Sequence, residues 1–141
     1  MLFLYKLILL KMDYKDYQNQ SKRTCPKLKD NLREGLSDEL HMVIGISTES
    51  GELLDAYKKH FAYGKDLDVV NVGEEIADIM WYISNLCRIK NIDIEEIMQR
   101  NIEKLKARYP EKFTQEKALS RNLDAERNIL EGNKDWFVIF K

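Results

Sequence analysis

The chain has 141 residues, 23 of them Lys or Arg and 24 Asp or Glu, for a formal net charge of -1. That length predicts one soluble globular domain able to bury a real core. The balanced charge excludes a global basic field that would draw the protein to nucleic acid or anionic lipid, so an anionic substrate must be met locally.

Residues 1–11, MLFLYKLILLK, are apolar. They are shorter than the about 20 residues that span a membrane, and they lack the small-residue cleavage site of a signal peptide. They read either as a stretch ahead of a true start at Met12, the preferred reading, or as an extension covering an apolar patch on a partner subunit. A first helix is expected from about Asp13 to Arg23, ended before Pro26. Ser37 is the expected N-cap of a second helix running to about Phe61 and ended by Gly64, with Asp38 and Glu39 suiting its positive end. Asp68 or Asn71 should cap a third helix reaching about Lys90. Asp93 and Glu96 form a capping-box-like start to a fourth, which Pro110 stops. A fifth helical stretch is expected from Thr114 to Glu131, ended by Gly132. Only Trp136 to Phe140 alternates like a strand, and this apolar tail is expected to pack on a partner subunit.

The fold class is therefore all-α. Short loops between long helices favour an antiparallel bundle of four to five helices. The domain reading is a single domain over 1–141, with an apolar extension (1–11), a helical core (12–131) and an apolar tail (132–141). In the second helix, Leu40, Val43, Ile44, Ser47, Gly51 and Leu54 make one stripe, while Met42, Ile46 and Leu53 lie well outside it. A helix apolar on more than one face needs more than one partner, which argues for a homo-oligomer. Gly45 and Gly51 inside this helix each cost about 1 kcal/mol relative to alanine, and such glycines mark close helix approach or room for a ligand. Cys25 and Cys87 form neither a CxxC pair nor a zinc spacing, and Cys87 reads as a small core residue, which suits a reducing cytoplasm.

Glu49 and Glu52 are three apart in the run TESGE, and Glu75 and Asp78 are three apart in the run EEIAD. That spacing puts each pair on one helix face. If the two helices pack antiparallel, the pairs can converge. Four carboxylates so placed repel and raise one another's pKa values. A hard divalent cation relieves the repulsion, and all-oxygen ligation suits Mg²⁺ or Mn²⁺. Against this, ExxE and ExxD patterns are common on solvated helix faces, and periodicity alone leaves the two readings balanced. A di-iron site needs Glu-x-x-His motifs, which His41 and His60 do not make. Zinc lacks its usual His and Cys ligands. His41 reads as a hydrogen-bonded structural histidine and His60 as a surface residue near a helix end. Asn101, Lys104 and Arg108 share one face of the fourth helix, either as a solvated basic face or as a phosphate clamp.

Taken together, ExxE (Glu49 to Glu52), a spacer, ExxD (Glu75 to Asp78) within EEIADIMWYISNL, and the downstream NIEKLKARYPEKF resemble the MazG-like all-α nucleoside triphosphate pyrophosphohydrolases over about Asp13 to Glu131. The resemblance implies cleavage of an NTP or dNTP to the monophosphate and pyrophosphate. It implies Mg²⁺ (or Mn²⁺) on Glu49, Glu52, Glu75 and Asp78, one of which orients or deprotonates the attacking water. It places Lys104 and Arg108 on the phosphates, helped by Asn101, and makes Tyr82 a candidate contact to the sugar or base. It further implies a homodimer or homotetramer with no nucleic-acid or membrane partner. The competing reading is a non-catalytic helical module for nucleotide sensing or protein interaction, motivated by the wide apolar faces and the tail.

Overall fold

Asp13, Asp68, Asp93, Thr114 and Asn122 each stand one residue before a helix, and each side chain accepts a hydrogen bond from a backbone N–H of the first turn. Short polar side chains are suited to this because a new helix leaves its first N–H groups without backbone partners. A computed structural model of the chain describes residues 12–26 and 36–132. Among them are six α-helices and no strand: α1 (Tyr14–Ser21), followed by a 3₁₀ turn (Lys22–Thr24), α2 (Leu36–Tyr63), α3 (Val69–Ile89), α4 (Ile94–Arg108), α5 (Gln115–Leu119) and α6 (Leu123–Glu131). The fold is all-α. The expectations for the apolar extension and for the tail with its strand-like run lie outside the described residues. None of the described helices is long and apolar enough to cross a membrane.

Two expected boundaries need correction. Ser37 lies inside α2 and is not its N-cap. The stretch from Thr114 to Glu131 is two helices, because Ser120 ends α5 and the Asn122 side chain caps α6 by accepting from the Ala125 N–H at 3.0 Å. Polar side chains of this kind compete with the helix for backbone groups. Of the two candidate caps for α3 the structure selects Asp68, whose Oδ1 accepts from the N–H groups of Val70 and Asn71. That leaves the Asn71 side chain free for another task.

The chain divides into two compact units, Met1–Ile92 and Asp93–Lys141. In the first, α2 and α3 pack along their length and run antiparallel. Lys90 pairs with Glu39 near one end, Tyr82 crosses Gly45, and Glu75 meets Glu52 further along. Three side-chain bonds tie the N-terminal segment to α3. Tyr17 donates to the Ala77 carbonyl, Gln18 to the Ser84 carbonyl, and the Trp81 indole to the Thr24 hydroxyl. Asn91, at φ +54°, closes α3 with a Schellman turn, in which the Ile92 N–H reaches the Cys87 carbonyl at 2.7 Å and the Asn91 N–H reaches that of Arg88.

On α2, Met42 is fully buried and Ile46 and Leu53 are half-buried, whereas Leu40, Val43, Ile44 and Leu54 remain 47–69% exposed. The helix thus has one face satisfied inside the unit and one that is not. On α3, Cys87 is buried and Ile76 is half exposed. In the second unit α4 packs against α6, and Ile94 at the start of α4 is buried. There Arg100 donates to the Leu130 carbonyl at 2.9 Å.

Candidate functional site

Antiparallel packing of α2 on α3 brings ExxE opposite ExxD. One oxygen from each of Glu49, Glu52 and Glu75 lies within 4.8 Å of the others, and Glu75 is buried. Asp78 stands outside that group of three, one turn along α3. It is still close enough for its charge to help raise the pKa values of Glu49, Tyr82 and Tyr17. Burial, and then the neighbouring charges of Glu52, Asp78 and Glu75, hold the Glu49 carboxyl above the usual carboxylate range. Burial and like charges brought together both disfavour an ionised carboxyl. The donor set is oxygen only, which fits Mg²⁺ or Mn²⁺ and suits neither zinc nor copper.

Three features around the carboxylates were legible in the sequence only in part. Asn71 lies one turn before Glu75, and its Nδ2 donates to Glu75 Oε1 at 2.6 Å. That bond orients a buried carboxylate. The i, i+4 spacing of Asn71 and Glu75 was the available signal, but a role as helix cap obscured it. Gly45 has no room for a side chain, since a Cβ there would lie 2.1 Å from Tyr82 Cε1. The missing side chain lets the Tyr82 ring lie directly on α2. His41 and Trp81 stand edge-on to that ring, with centroids at 5.8 and 5.0 Å. Burial and then the charges of Glu49 and Asp78 push the Tyr82 hydroxyl up. His41, expected to be hydrogen-bonded, has its Nδ1 buried with no hydrogen-bond partner among the described residues. His60 holds the end of α2 instead of merely sitting near it, with Nδ1 donating to the Lys65 carbonyl at 2.7 Å.

Beside Glu52 and Glu75 opens a polar pocket of about 410 Å³, also lined by Thr48, Gly51, Asp55, Lys59 and Asn71. Asn101, Lys104 and Arg108 belong to the second unit, where Asn101 is exposed and Lys104 half-buried. The Arg108 guanidinium is already engaged. Its Nε donates to Glu126 Oε1 at 2.8 Å, and its second nitrogen pairs with the other carboxylate oxygen. Arg121 shares the same carboxylate at 2.6 Å. Hydrogen bonds from Arg108 and then Arg121 bring the Glu126 carboxyl down to about 2.

Residues 37–113, more than half of the chain, match the MazG nucleotide pyrophosphohydrolase domain. The chain belongs to this family. The matched MazG segment contains all four carboxylates, Tyr82 and the Asn101, Lys104 and Arg108 face. The chain is also similar to the Gene 37 protein of Mycobacterium phage L5, at 32% identity over 82 residues, covering 53% of this chain and 67% of that one. No solved structure matches.

Proposed function

We propose that this MazG-family protein is a Mg²⁺-dependent hydrolase that cleaves an NTP or dNTP between the α- and β-phosphates, releasing the monophosphate and pyrophosphate. The observation that carries this reading is the convergence of Glu49, Glu52 and Glu75 within 4.8 Å. Bound there, Mg²⁺ (or Mn²⁺) would neutralise phosphate oxygens and polarise the reacting phosphorus. Glu49, Glu52 and Glu75 would hold it, with Asp78 completing the set. One of these carboxylates would accept a proton from the attacking water. Asn71 keeps Glu75 in place, and Tyr82 offers a ring and a hydroxyl to the nucleoside.

Lys104 and Arg108, with Asn101, would neutralise the phosphates. For Arg108 this requires leaving Glu126, and Arg121 remains to hold that carboxylate when it does. A homodimer or homotetramer is part of the same reading. Met42 and Cys87 are the only buried large apolar residues described in the first unit, and such a sparse core would be supplemented by covering the outer face of α2.

Incubation with Mg²⁺ and a panel of NTPs and dNTPs is expected to give monophosphate and pyrophosphate for at least one base. Glu52→Gln and Asp78→Asn are expected to lower turnover by at least about 100-fold with an unchanged far-UV spectrum. Full activity in both variants would remove the carboxylates from the mechanism. Absence of products with every nucleotide, together with nucleotide binding, would favour the non-catalytic sensing module. The exposed apolar face of α2 is the feature that would serve such a module.

A further inference from the structure

Gly51 lies in the interior of α2, where glycine costs about 1 kcal/mol relative to alanine. At Gly45 the close approach of Tyr82 explains this cost. At Gly51 nothing lies within 4 Å of where a Cβ would stand, so no packing inside the unit requires the missing side chain. What Gly51 faces is the polar pocket of about 410 Å³. That volume falls within the range of about 300–1,000 Å³ typical of small-molecule sites. Its charged lining is Glu52, Asp55, Lys59 and Glu75.

The lining carries three carboxylates, Glu52, Asp55 and Glu75, and one ammonium group, Lys59. Asp55 is shared by two lysines, Lys59 at 2.7 Å and Lys58 at 3.1 Å, so this trio by itself carries one net positive charge. Of the two lysines, only Lys59 lines the pocket. It lies two turns beyond Glu52 on the same face, about 10 Å along the axis, a distance its four-carbon stem helps to span. Because Lys58 also holds Asp55, Lys59 can leave that carboxylate for a stronger anion without stranding it.

We propose that this pocket is the subsite for the leaving pyrophosphate, with Lys59 as its charge partner. The inference rests on the proposed reaction, and it assigns a direction to the substrate. The β- and γ-phosphates run along α2 from the carboxylates toward Lys59, and the nucleoside lies on the Tyr82 side. Hydrolysis joins water oxygen to the α-phosphorus and breaks its bond to the α–β bridging oxygen. The pyrophosphate leaves with that oxygen, still paired to Lys59.

The test is calorimetric titration of the full chain with magnesium pyrophosphate, with turnover measured in parallel. A hydrogen bond between charged groups contributes about 1.5–3 kcal/mol, so Lys59→Ala should weaken pyrophosphate binding roughly 10- to 100-fold. Lys59→Arg should retain most of the binding, and Lys58→Ala should change it by less than about threefold. Unchanged binding in Lys59→Ala, an equal loss in Lys58→Ala, or no pyrophosphate binding by the wild type would each overturn the assignment. Turnover with Lys59-independent pyrophosphate binding would leave the hydrolase reading standing and this one refuted. Lys59-dependent binding without turnover of any nucleotide would refute the hydrolase reading and with it the leaving-group role, leaving only a pyrophosphate-binding pocket.

Discussion

Gly45 and Tyr82 form a pair in which one residue exists to admit the other. The ring cannot swing aside freely, since His41 and Trp81 stand against it. Gly45→Ala should therefore destabilise the protein by roughly 1–3 kcal/mol, although alanine is the better helix former. Adding Tyr82→Ala should recover part of that loss, because the clash and its cause are then both gone; thermal melts of the two single variants and the double variant measure this coupling. If Gly45→Ala melts at or above wild type, the close approach is not restrictive. The sequence marked Gly45 and Gly51 alike, as sites of close approach or ligand room. What distinguishes them is a contact from a residue 37 positions away, which no local pattern carries.

At the scale of elements, the break between α5 and α6 has a consequence. By ending one helix at Ser120 and capping the next with Asn122, the chain brings Arg121 and Arg108 to one carboxylate, Glu126, which is 5% exposed. Its carboxyl is lowered from an ordinary value near 4.5 to about 2. A lowered native pKa contributes stability that is fully present above the unfolded value and is lost as pH falls from about 4.5 toward about 2. Urea midpoints measured between pH 2 and 6 should therefore fall less steeply for Glu126→Gln than for wild type. Equal slopes would show that the triad does not set the acid limit. The sequence showed Arg108 as part of a basic face, and its engagement with Glu126, eighteen residues further on, depends on the break between Ser120 and Asn122.

For the whole molecule the salient feature is how little of the apolar surface of α2 is covered. Leu54 is 69% exposed, Val43 51% and Ile44 52%. We propose that this exposed apolar face packs against a second copy of the chain. We expect wild-type protein to run as a dimer or tetramer in size-exclusion chromatography with light scattering. Val43→Glu with Leu54→Glu should shift it toward monomer and lower its melting temperature. A monomeric wild type would leave the face open for some other partner.

Much of this protein was determined by sequence alone. Helical periodicity, capping residues and Pro110 set the all-α class and most helix limits, because those signals act within a turn or two of the backbone. The order ExxE, ExxD and the NIEKLKARYPEKF run indicated the family, because residue type and spacing are what a family shares. Tertiary structure decided which of two apolar faces of α2 meets α3, that Asn71 serves Glu75, and that Glu49, Glu52 and Glu75 converge while Asp78 stands a turn away. It also decided that Lys59 shares a pocket with the carboxylates. Each of these depends on the register of one helix against another. That register is set by side-chain volumes at the contact, here a tyrosine ring seated on a glycine, and not by the pattern along either helix.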